Sequence, residues 1–203
     1  NWDALFGAGH REPCSAPAHP QRPELGTRAF SLGPEVWIEA DDFAEVPPKG
    51  FFRLFPGNKV RLKYGMVVEC TGCTKDADGR VTAVQATVVP DTKSGTPGAD
   101  AVKVKGTITW VGVHEAVPVE LRLFERLFTV DQPGSDETDF RSVVNPRSKT
   151  VQQGFVEPAL AGADADTKFQ FERHGYFVAD RVDHRPDRRV FNRIATLKDS
   201  FPR

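Results

Sequence analysis

No apolar run in this chain reaches the roughly 18–20 residues that a membrane-spanning helix requires. No positively charged leader with an apolar core opens it, so nothing points to secretion, and a cytoplasmic protein that meets no membrane is expected. Cysteine is scarce. Cys14, Cys70 and Cys73 make an odd number, which argues against a disulfide framework. The spacing Cys70-x-x-Cys73 suits zinc or redox chemistry, but a structural zinc site takes four ligands, usually from two such pairs, and there is no second pair. Cys70 closes the apolar run 66–70, which reads as a strand, so two free thiols at a strand end and no metal are expected. The five histidines (His10, His19, His114, His174, His184) are scattered without i, i+4 pairing and read as ordinary polar residues. No glycine-rich phosphate loop follows a strand and opens a helix, and no nucleophile elbow occurs. Catalysis by these residues is therefore not expected.

Helical periodicity is also nearly missing. Asp41 or Asp42 could cap one turn before Phe43, and residues 157–163 could form another. What is present is strand signal. Val102, Val104, Ile108 and Trp110 share one face at period two, with Lys103, Lys105, Thr107 and Thr109 on the other. Val84, Ala86 and Val88 alternate in the same way, as do Val119, Leu121 and Leu123. The turn 76–79 between two such runs is a hairpin in which Gly79 supplies a positive φ. Residues 91–100 read as a polar loop, and 113–117 and 131–137 as irregular breaks. With 203 residues, 16 prolines and 17 glycines spread along the chain, an all-β barrel or sandwich follows, split after Gly112 into two small units. The chain begins at Asn1-Trp2-Asp3 without Met, which is expected of a fragment of a longer protein.

The formal net charge of −1 hides a segregation. Residues 35–45 hold five acids and no base, whereas 49–63 hold five bases (Lys49, Arg53, Lys59, Arg61, Lys63) and no acid. On charge alone both read as solvated faces of charged strands. The basic stretch, FFRLFPGNKVRLK at 51–63, also interleaves aromatics with bases. Unstacked RNA bases are read by planar donors on their edges and flat apolar surfaces beneath them. The arginine fork suits guanine, whose O6 and N7 it can pair together.

Two C-terminal stretches, KFQFERHGYF at 168–177 and VFNRIATLKD at 190–199, resemble the C-terminal anticodon-binding region of the glutaminyl-tRNA synthetase family, a class I aminoacyl-tRNA synthetase family. PQRPELGTR at 20–28, EVWI at 35–38 with Asp42-Phe43, Trp110, PVELR at 118–122, Leu127-Phe128 and QGFVEP at 153–158 agree in order and spacing. The resemblance covers nearly the whole chain. It implies two tandem six-stranded barrels related to a ribosomal 5S RNA-binding barrel. The proximal barrel would span 1–112, completed by about 186–203, and the distal barrel 113–185, with the last strand returning to the first barrel. It implies a part of glutamine–tRNA ligase that binds the anticodon loop of glutamine tRNAs as a monomer alongside the catalytic domain of the same protein. ATP and magnesium would serve that missing half. The HIGH-like and KMSKS-like signatures do not occur here, so the isolated chain is expected to bind no ATP.

Site residues follow from the same resemblance. Arg53 matches the arginine that contacts the third anticodon base, and Arg61 and Lys63 the pair beside the first base. Gln170 and Arg173 match the glutamine and arginine around the middle base. Phe52 stands where a member of that family has a lysine, so that contact is lost or replaced by stacking, and Lys63 replaces an arginine, giving up bidentate geometry for a point charge. Without the resemblance, Arg61 and Lys63 read as the charged outer face of an edge strand. Strand parity puts Gln170 with Glu172 and Arg173 on the opposite face, so a bend near Gly175 is needed for both to reach one base. Arg193 reads as structural, in the strand that rejoins the first barrel. The archaeal and eukaryotic type of glutamyl-tRNA synthetase shares this region, and an RNA-free β interaction module is the remaining alternative.

Overall fold

A computed structural model describes residues 1–134 and 139–197. Among the described residues thirteen of the eighteen regular elements are strands, as the turn-punctuated alternation predicts, and the other five are short helical turns. The chain divides into two compact units. The first comprises Asn1–Ala116 with Glu157–Ala159, the second Val117–Val156 with Leu160–Arg203. The expected break at 131–137 falls partly, and the segment 198–203 wholly, outside the described residues.

The first unit opens with a short helix, α1 (Trp2–Phe6), and an antiparallel pair, β1 (Glu12–Pro17) and β2 (Thr27–Leu32). After β3 (Val36–Ile38) come β4 (Lys59–Leu62), β5 (Val67–Lys75), β6 (Val81–Val88), β7 (Gly106–Ile108) and β8 (Trp110–Gly112). Four of these form a sheet in the order β6-β5-β4-β7, in which β4 and β7 run parallel; β3 pairs with β8. The alternation in β4 decides what faces where. Val60 and Leu62 are buried in a core with Trp2, Leu54, Met66, Ile108 and Trp110, which turns Lys59 and Arg61 outward. At the 76–79 hairpin Gly79 has φ 79°, and the Asp76 carboxylate accepts from the Asp78 and Arg80 amides.

Three expectations need correction here. The strand foreseen from Val102 begins only at Gly106, because 101–105 makes no ladder. Cys70 lies inside β5 rather than at its end: a bulge between Cys70 and Gly72 lets the strand continue to Lys75. Asp42 does not cap its turn. The 3-10 turn Ala40–Asp42 ends on it, with its side chain fully buried.

The second unit is one sheet of β9 (Val117–Phe124), β10 (Lys149–Val156), β11 (Lys168–Phe171), β12 (Gly175–Ala179) and β13 (Val190–Ala195). Its order is β10-β9-β13-β12-β11, with β13 parallel to β9. Val117, Val119, Phe177, Ala179 and Phe191 are buried together, and Phe171 stacks on Phe177 at 4.6 Å between ring centroids. Among the described residues the sheets are open, and none closes into a barrel. The final strand is the main correction. Val190–Ala195 pairs with β9 and β12 inside the second unit instead of returning to the first. The reason is burial: Val190 and Phe191 are fully enclosed, and both edges of β13 find ladder partners there.

Candidate nucleic-acid interface

The first group of candidate residues stands on the outward side of β4 and the segment before it. Arg53 is held from two directions. Its guanidinium donates to the buried Asp42 carboxylate, and its carbonyl accepts from Asn58 Nδ2 at 2.6 Å. The Leu54 amide bonds Asp42 O at 2.9 Å and the Ala44 amide bonds Leu54 O at 3.0 Å, which ties the backbone on either side of that pair. Arg53 thus keeps a fixed place while a third of its side chain stays open to solvent. It lines a shallow recess of about 310 Å³ with Gly50, Phe51, Phe52, Lys105, Gly106 and Thr107.

Arg61 has a different setting. Its guanidinium donates to Thr92 O at 2.7 Å, Ala99 O at 2.6 Å and Ser94 Oγ at 3.4 Å. All three acceptors are uncharged and belong to the expected polar loop 91–100. That loop is built onto the sheet: buried Thr92 accepts from the Val67 amide, and Ser94 bonds Gly65 O through both its amide and its hydroxyl. Arg61 is also in register with Thr107 of β7, which lines the recess, so β7 joins the Arg53 and Arg61 surroundings. Lys63 follows at the end of β4, its ammonium 5.3 Å from the Tyr64 ring centroid. Tyr64 has φ 61°, and the Arg28 guanidinium approaches the same ring at 6.0 Å. Arg28 also pairs with Glu157 at 2.5 Å, within the first unit. Lys59 is spent on its cross-strand partner Glu69, 2.9 Å away.

Gln170 and Arg173 belong to the second unit and are described on their own. Gln170 projects from β11, exposed, directly opposite Tyr176 of β12, which is also exposed. The parity problem does not arise, because β11 ends at Phe171. Residues 172–174 form the turn, Arg173 adopts φ 71°, and the His174 amide closes onto Phe171 O at 3.0 Å. The bend foreseen near Gly175 is therefore at Arg173 itself. Gly175 has φ 124° and lies so close to β13 that a Cβ would stand 2.2 Å from Ala195 O.

Three of the five arginines in the segment 181–193 are met by carboxylates from elsewhere in the second unit. Arg181 pairs with Asp166, Arg188 with Glu120 and Arg193 with Glu125. The centre of this web is Arg122, nearly buried on β9, which reaches Glu120 at 2.7 Å, Asp180 at 3.3 Å and Asp183 at 2.6 Å. Asp180 in turn accepts from the amides of Val182 and Asp183 and from Asn192 Nδ2 at 2.6 Å. Those donors, the Asp183 amide first and Asn192 next, hold its pKa at about 2 against burial, which opposes them. Arg122 was legible in PVELR only as an outward strand position beside Glu120; its other two carboxylate partners, Asp180 and Asp183, come from 58 residues downstream and beyond. Lys105, Tyr64 and Tyr176 are the other residues that the geometry adds.

Among the described residues no helix is long and apolar enough to cross a membrane. A family model for the class I (E and Q) tRNA-synthetase anticodon-binding domain matches residues 2–89, and a second model with the same description matches 107–180. The glutamine–tRNA ligase of Ralstonia pickettii (strain 12J) is 61% identical over 194 residues, which is 96% of this chain and 34% of that protein. That of Cupriavidus taiwanensis is 60% identical over 97% of this chain and 34% of its own length. That of Bordetella pertussis (strain Tohama I) is 54% identical over 97% of this chain and 33% of its own length. The chain spans about a third of the length of these curated relatives.

Proposed function

We propose, for a chain that belongs to the anticodon-binding domains of the class I tRNA synthetases for glutamate and glutamine, that it reads the anticodon loop of glutamine tRNAs as part of a glutamine–tRNA ligase. The observation that carries this is the pair of anticodon-binding matches in tandem, one on each side of residues 90–106. The glutamine assignment is supported by relatives that are named glutamine–tRNA ligases. In this reading Arg53 of the first unit, the proximal domain, meets the third base, and Arg61 with Lys63 the first. Gln170 and Arg173 of the second, distal unit meet the middle base. Arg61 already spends its donors on the 91–100 loop, so it contributes by fixing that loop beside Lys63 or by exchanging carbonyls for base acceptors. ATP, magnesium and the ligase reaction belong to the part of the protein outside this chain, and the whole works as a cytoplasmic monomer. Correct anticodon binding reaches the distant reaction centre as a coupling free energy.

Pinned by Asp42 and still open on one side, Arg53 is placed to offer its remaining donors to an unstacked guanine. The test is aminoacylation by the full-length ligase with tRNA carrying G or A at the third anticodon position, supplied with glutamine and glutamate side by side. Arg53→Ala is expected to remove roughly 1–3 kcal/mol of discrimination at that position. A melting curve separates this loss from that of the Asp42 partner. Equal loss on both tRNAs makes Arg53 a structural residue, and charging with glutamate rejects the glutamine assignment.

A further inference from the structure

Phe52 is half exposed, with Lys105 standing over it: the ammonium lies 5.4 Å from the ring centroid. A single exposed phenylalanine is ordinary on a protein surface. This one is built into its place. Gly106 passes so near that a Cβ there would fall 1.8 Å from Phe52 O, so only glycine lets β7 press against the Phe52 backbone. Gly106 is itself buried and in register with Val60 of β4, and the Phe51 amide is held by Pro48 O at 3.1 Å. The ring is therefore presented by a rigid frame, beside Arg53 in the same recess.

The chemistry around the ring selects its occupant. A flat apolar face flanked by an arginine fork and a lysine, with the exposed Thr107 hydroxyl at the rim, matches a nucleobase that carries its own phosphate. We propose that Phe52 and Lys105 form a stacking seat for one unpaired nucleobase, with Phe52 under the base, Lys105 on the adjoining phosphate and Arg53 at the base edge. This deepens the anticodon-reading proposal and rests on it. In the free protein Lys105 covers the ring through a surface cation–π contact. An incoming base offers the ring a larger π surface and brings the lysine an anion, so the ammonium swings from the ring face to the phosphate. The seat also explains how a site lacking a cation at residue 52 keeps one: the charge comes from residue 105 across the recess.

The test uses the full-length ligase and a glutamine tRNA transcript with 2-aminopurine at the third anticodon position, whose fluorescence is quenched on stacking. Wild type is expected to quench it on binding. Phe52→Ala is expected to abolish the quenching and weaken binding roughly tenfold, whereas Phe52→Tyr restores both. Lys105→Ala is expected to lower the slope of log affinity against log salt by about 0.7 while leaving the quenching in place. Quenching that survives Phe52→Ala overturns the seat, and an unchanged salt slope in Lys105→Ala overturns the phosphate contact. If these fail while Arg53→Ala still loses discrimination, anticodon reading stands and the seat alone is wrong. If wild type binds the unsubstituted glutamine tRNA no better than one with a scrambled anticodon loop, both fall together.

Discussion

Each unit organises polar structure around one strand arginine, but the two are satisfied in opposite ways. In the first, Arg61 donates to Thr92 O, Ala99 O and Ser94 Oγ, so it orders a loop and keeps its positive charge. In the second, Arg122 is enclosed by Glu120, Asp180 and Asp183 and its charge is cancelled on the spot. The difference teaches that arginine count is a poor guide to how much unmatched positive charge a segment presents. The segment 181–193 is the most arginine-rich in the chain, yet Arg181, Arg188 and Arg193 each answer a local carboxylate. The first unit has fewer arginines, but Arg61 and Lys105 are met by neutral carbonyls or an aromatic ring, and that charge projects outward.

The strongest way to break this comparison is to delete the buried fork. Arg122→Met leaves carboxylates facing one another with little solvent, and is expected to cost about 3 kcal/mol. The loss should be read as amide-exchange protection in β9 and β13, with far less change in β4 and β5. Uniform loss of protection along the chain would show that the web is not the local lock described. Acid sharpens the same contrast. Asp180 has its pKa lowered from the usual 3.8 to about 2, so its stabilisation is complete above pH 4 and disappears as pH falls toward 2. That contribution is worth about 2 kcal/mol at neutral pH. Asp180→Asn should flatten the acid limb of the second unit's stability between pH 4 and 2, and an unchanged limb would assign it to other carboxylates.

The smallest expected effect is at Arg61. Its partners are neutral and can turn to water, so Arg61→Met should cost about 1 kcal/mol. Its mark should be faster amide exchange at Val67 and Ser94, which the loop protects. A cost equal to that of Arg122→Met would erase the distinction between carbonyl-held and carboxylate-held arginines.

The sequence showed its faces clearly where one rule acts over a few residues. Period-two alternation put Val60 and Leu62 inside and Arg61 outside, and the Asp-x-x-Gly signal set the turn at Gly79. At Gln170 and Arg173 the same rule misled, because it assumed a strand through Arg173 where the chain turns with φ 71°. At Cys70 the apolar run ends, but a bulge carries the strand onward to Lys75. Left-handed non-glycine residues and bulges leave little trace in local composition, since both are sustained by the neighbouring strand.

By itself the sequence determined the strand-rich class, the outward placement of Arg61 and the family membership that its scattered motifs announce. The tertiary structure alone decided partnership: β13 between β9 and β12, Arg53 on Asp42, Arg61 on carbonyls 31 and 38 residues further on, and Lys105 over Phe52. Side-chain direction is fixed by backbone sterics between adjacent residues, which any short stretch of sequence contains. Partners are chosen by which distant segments can bury apolar surface together. Closing a longer loop costs only slightly more than closing a short one, so separation along the chain says little about which pair will meet.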